Sequence, residues 1–118
     1  MKNFLFLGAF ALVLTVIQCT KDSVDTATCT GTTPTYTTDI KAIMDASCAT
    51  SGCHSAAKKE SGYDLSSYAG TKAGAAKTAF LGSMQHKSGY NAMPKSASKL
   101  SDANLTKIAC WVQNGTPQ

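Results

Sequence analysis

The sequence predicts a small all-α domain, and three observations carry that expectation. Apolar residues recur at helical spacing in two stretches, one just before the middle of the chain and one at its end. No run alternates apolar and polar residues over a useful strand length, and between the two stretches regularly placed glycines cut the chain into short pieces. At 118 residues, one domain is the upper bound.

The N-terminus is set apart from that domain. Residues 1–18 open on Met1-Lys2 and continue through Phe4, Leu5, Phe6, Leu7, Phe10, Leu12, Val13, Leu14, Val16 and Ile17, the basic start and apolar middle of a signal peptide. As a lone apolar stretch it also lies near the lower limit for a retained helical anchor. Val16-Ile17-Gln18-Cys19 resembles the lipobox of bacterial lipoproteins, with Gln18 where that family has a small residue. The resemblance implies a lipid on Cys19, holding the protein to a membrane surface by acyl burial. Ordinary cleavage nearby is the alternative and leaves a soluble periplasmic protein.

Residues 19–37 then form a Thr-rich stretch with too little apolar surface to fold alone, which is expected to act as a tether. As a random coil it reaches on the order of 25 Å.

The domain is expected to occupy residues 38–118. Thr38 is a suitable N-cap with Asp39 in the first turn, and Ile40, Ile43, Met44 and Cys48 continue one helical face. Leu65, Tyr68, Phe80, Leu81 and Met84 are the inward positions of two short helices at about 64–69 and about 72–85. The last helix has the fullest signal. Ser101 is its N-cap, Leu100 and Leu105 have the spacing of a hydrophobic staple, and Leu105, Ile108, Ala109 and Val112 form a face flanked by Cys110 and Trp111. Asn114-Gly115 supplies the stop. This helix is expected to cross the first, and a domain of roughly 80 residues needs a staple or cofactor to supplement its core.

One stretch carries chemistry. Residues 48–54 read CATSGCH, in which Cys48 and Cys53 end in the adjacent His54. Haem attachment uses two thiols that add across vinyl groups, followed at once by a histidine presented to iron, usually with two residues between the cysteines. Here four residues, Ala49, Thr50, Ser51 and Gly52, form the spacer, and Ser51-Gly52 eases the turn it must make.

Residues 38–117 resemble a small class I type c-type cytochrome domain, particularly the variants carried on bacterial surface or periplasmic lipoproteins. The likeness rests on an amphipathic helix entering the attachment motif, Met93-Pro94 in the loop NAMPKSASK, and a C-terminal helix ending WVQNG. Ile43-Met44 stand at the family's apolar pair before the first cysteine, and Trp111 at the aromatic of its last helix. The chain departs from the family in its four-residue spacer and in Ile40, where a small residue often permits close helix crossing.

The resemblance implies a cytochrome c-like fold and one haem c held covalently by Cys48 and Cys53. His54 is then the proximal and Met93 the distal axial ligand of the iron, with Met84 and His86 the competitors for the distal place. A thioether favours ferrous iron, so a His/Met pair raises the potential above that of a bis-histidine site. The function implied is one-electron transfer with redox partner proteins. Cysteine arithmetic agrees: with Cys19 on lipid and Cys48 and Cys53 on haem, Cys29 and Cys110 remain to form a disulfide.

Two other functions use the same residues. Cys48, Cys53 and His54, with His86, could bind zinc or copper, which requires reduced thiols outside the cytoplasm and a fourth ligand. Alternatively Cys48 and Cys53 form a disulfide in a structural lipoprotein domain. Enzymatic function is not expected, because the carboxylates Asp39, Asp45, Glu60, Asp64 and Asp102 are scattered and no nucleophile motif or phosphate loop appears. Nor is nucleic-acid binding: the net charge of +4 comes from dispersed lysines without a single arginine. Those lysines solvate the surface, and some could steer acidic redox partners.

Overall fold

The computed structural model describes residues 25–118. The proposed signal peptide and Cys19 lie outside the described residues. Those described are helical, with no strand among them.

The first helix starts earlier than its pattern predicts. A π-helical turn, Tyr36–Ile40, runs directly into α1, Lys41–Ser47. Its N-cap is Thr35 and not Thr38: the Thr35 hydroxyl accepts from the Thr38 N–H at 3.4 Å, while Asp39 Oδ2 accepts from the Thr35 N–H at 3.1 Å. Two donors at the helix start are thereby satisfied reciprocally. The Thr38 hydroxyl and the Thr35 N–H hold the Asp39 carboxyl below its usual range, and Lys107 of the last helix adds an ion pair at 3.4 Å. The expected face is in place, with Ile40, Ile43, Met44 and Cys48 all buried.

Tyr36 is the core residue that the sequence pattern conceals. It is 4% exposed and its ring lies 5.4 Å from Tyr68 and 6.2 Å from Trp111. The C-terminal tail encloses it, because Tyr36 N–H donates to Pro117 O and Thr37 N–H to Gln118 O, each at 3.0 Å.

The middle helices are α2, Tyr68–Ala75, and α3, Ala79–Met84, preceded by a single 3₁₀ turn at Glu60–Gly62. Both depart from the predicted spans of about 64–69 and 72–85. Gly70 and Gly74, which read as breakers, lie inside α2, where they let the chain approach its neighbours closely. A Cβ on Gly70 would fall 1.9 Å from the Asp64 carbonyl oxygen. Ser67 caps α2 by accepting from the Gly70 N–H at 3.2 Å. Thr71, fully buried, donates its hydroxyl proton to Leu65 O at 3.1 Å, so its polar atom is satisfied in the core.

The last helix, α4, spans Asp102–Gln113 and follows its signals closely. Ser101 accepts from the Asn104 N–H at 3.3 Å, Leu100 and Leu105 pack against the core, and Gly115 takes the left-handed φ of +84° that stops the helix. The buried face is shifted from the predicted one: Cys110 and Trp111 join Leu105, Ile108 and Ala109 inside, while Val112 is half-buried and packs against the core's edge. Trp111 is fully buried and donates Nε1–H to Pro117 O at 2.8 Å, which fastens the same tail that covers Tyr36. Burial of such a side chain is worth about 1.5–3 kcal/mol.

Cys29 and Cys110 are joined in a disulfide, as the cysteine arithmetic anticipates. It links residues 81 positions apart and ties the Thr-rich segment to α4. On the chain-entropy account a closed loop of that length contributes about 4.5 kcal/mol.

Candidate cofactor-attachment site

α1 delivers Cys48 to the site at its last turn, where the chain leaves helical geometry at φ −125°. The Cys48 and Ala49 N–H groups both donate to Met44 O, at 2.8 and 2.7 Å, so the helix end is closed without a glycine. The spacer then turns on itself. Cys53 N–H donates to Thr50 O at 2.9 Å, and His54 N–H donates to Cys48 O at 3.0 Å. The four-residue spacer is thus enclosed in a loop closed by the backbone bond from His54 to Cys48. Gly52 does not take a left-handed φ, and a Cβ there would meet open space, so the expected contribution of Gly52 to the turn is not used.

The segment that follows supports the motif from outside. Glu60 N–H donates to Cys53 O at 3.1 Å and Leu65 N–H to His54 O at 2.8 Å. The tight return between them uses positive φ at Lys59 (46°), Ser61 (55°) and Gly62 (81°), a feature that nothing in the sequence marks at the first two. This return also sets Tyr63 edge-on to the His54 ring, with centroids 5.9 Å apart and planes at 86°.

The three motif side chains differ in environment. Cys48 is buried, and burial first, then the neighbouring Cys53, pushes its thiol up to about 11. Cys53 is exposed, and both are free thiols. His54 is half-buried, with Nδ1 buried and without a hydrogen-bond partner. Such a nitrogen loses its hydration with no return, which makes it a candidate to face a group bound there.

Met93 belongs to a different loop. It is half-buried; its N–H donates to Ser83 O at 3.0 Å, and its carbonyl accepts from the ring Nε2–H of His86 at 3.1 Å. These bonds tie Met93 to α3 and not to the 48–54 loop. Met84 is buried in the core with Phe80 and Ile108, while His86 is exposed and engaged with the Met93 carbonyl.

Among the described residues no three or more His, Cys, Asp or Glu side chains form a group able to hold a metal ion. A zinc or copper ion needs ligands converging on one point. Haem attachment does not, since each thiol would bond a separate vinyl carbon and neither would need to reach the iron. Two free thiols, one of them exposed, and an adjacent imidazole with a buried unpartnered nitrogen fit that chemistry.

Comparison with known proteins finds no matching family model, no matching characterised protein and no matching solved structure.

Proposed function

We propose that this chain is a one-electron carrier that holds a single haem c covalently, in an exported protein tethered at a membrane surface. The observation that carries the reading is the state of its cysteines around a Cys-His adjacency. Cys29 and Cys110 are paired, while Cys48 and Cys53 stay as free thiols with His54 directly after the second.

In this reading Cys48 and Cys53 would hold the group by thioether bonds, and His54 and Met93 would be the residues that ligate its iron. The bound haem supplies the reversible Fe(II)/Fe(III) couple. The chain's own contribution is retention, ligation and a surrounding of low polarity. α1 anchors Cys48, the Cys48–His54 backbone bond holds the two ends of the motif together, and Tyr63 packs edge-on against the His54 ring. Export and the lipid on Cys19 belong to the same proposal, because a structural disulfide such as Cys29–Cys110 forms and persists in an oxidising compartment. Lysines around the surface would favour acidic redox partners.

The test is a visible spectrum of mature protein from a host competent in cytochrome c maturation, taken oxidised and reduced. Sharp haem bands that change with reduction support the reading. A protein without haem absorbance that retains zinc or copper would overturn it.

A further inference from the structure

We propose that residues 25–29 form a strap that positions Met93, acting through Gln85 and His86. The Gln85 amide grips both sides of one residue: Asp25 N–H donates to Gln85 Oε1 at 2.8 Å, and Gln85 Nε2–H donates to Asp25 O at 2.9 Å. Asp25 Oδ1 also pairs with Lys87 Nζ at 2.8 Å. Two residues on, the pattern repeats. The Gln113 amide, its oxygen and nitrogen assigned by the partners they face, accepts from the Ala27 N–H at 2.9 Å and donates to Ala27 O at 3.2 Å. Cys29 is then fixed covalently to Cys110. The strap therefore bridges the C-terminal ends of α3 and α4.

The α3 end of this bridge is where Met93 is held. Gln85 is the C-cap of α3, and the residue two before it and the residue directly after it carry the two groups that grip the Met93 peptide. Ser83 O accepts the Met93 N–H, and the His86 ring donates to the Met93 carbonyl. His86 sits at φ +54°, a left-handed conformation disfavoured for a non-glycine residue, and its ring is turned back onto the Met93 carbonyl. Fixing Gln85 from outside fixes the turn from which both bonds are made. Met93 matters as an iron ligand only under the proposed function, but the holding of its loop does not depend on haem.

The experiment measures hydrogen exchange of the segment 90–95 in the exported, disulfide-bonded protein. Removing the strap's grip in Gln85→Ala should speed that exchange about tenfold relative to the unaltered protein, the order expected when an opening loses its hydrogen-bonded support. Asp25→Pro removes the N–H that Gln85 accepts, lies outside every helix, and should act in the same direction. In haem-loaded protein, Gln85→Ala and His86→Ala should weaken the sulphur-to-iron charge-transfer band and let added imidazole bind at about tenfold lower concentration, with haem still covalent. His86→Gln, which keeps an N–H donor, should restore both. Unchanged exchange at 90–95 in both Gln85→Ala and Asp25→Pro overturns the strap. Absence of haem from the unaltered protein overturns the proposed function instead, and exchange still decides the strap.

Discussion

The N–H of His54 donates to the carbonyl of Cys48 at 3.0 Å, so the first thiol-bearing residue and the candidate axial histidine share a backbone bond across the enlarged spacer. The four residues between the cysteines are absorbed in a turn, and the relation between the motif's two ends does not depend on their identity. Gly52 makes the point: Gly52→Ala should change stability by less than about 0.5 kcal/mol in denaturant unfolding and leave haem attachment intact.

Gly70 and Gly82 should behave differently. A Cβ on Gly70 would meet the Asp64 backbone oxygen at 1.9 Å, while one on Gly82 would meet the Tyr90 ring at 2.8 Å. Backbone cannot yield as a side chain can. Gly70→Ala is therefore expected to cost more than Gly82→Ala, for which overpacking gives about 1–3 kcal/mol. Chemical denaturation of the two variants checks the order.

The Cys29–Cys110 disulfide closes the longest covalent loop in the described residues. Replacing both cysteines by serine should lower stability by about 4 kcal/mol in denaturant titration, and reduction of the unaltered protein should give a similar loss.

Without haem, the raised Cys48 thiol makes stability depend on alkaline pH. Burial lifts it from 9.0 to about 11, so between those values the unfolded chain releases a proton that the folded chain keeps. Its contribution is fully present below about pH 9 and is lost as pH rises through about 11, a difference of about 2–3 kcal/mol. Urea unfolding from pH 8 to 11 should show this slope in the unaltered protein and not in Cys48→Val.

Where signals were local, the fold was legible. α4 carries its cap, staple and stop in and directly beside its own residues, from Leu100 to Gly115, and each operates as the sequence implies. The face of α1 is equally plain, because Ile40, Ile43, Met44 and Cys48 repeat at helical spacing. The start of that helix was not, since Thr35 and Thr38 are equivalent caps by type. Tyr36 is buried only because Pro117 and Gln118 return from the far end of the chain. In α2, Gly70 and Gly74 look like breakers until the closeness of Asp64 and Leu65 is known.

The site divides along the same line. Cys48, Cys53 and His54 announce themselves by adjacency, and the cysteine count anticipates Cys29 with Cys110. The clamp of Gln85 on Asp25 joins residues 60 apart through an amide and a backbone, types that carry no motif.

The central claim is tested most directly by intact-mass spectrometry of the mature protein, denatured and produced in a maturation-competent host. The account predicts a chain heavier by one haem, with Cys48 and Cys53 inaccessible to alkylation and the added mass lost in the Cys48→Ala, Cys53→Ala double variant. A chain of polypeptide mass, apart from any lipid, with Cys48 and Cys53 both alkylated or bonded to one another, would contradict it.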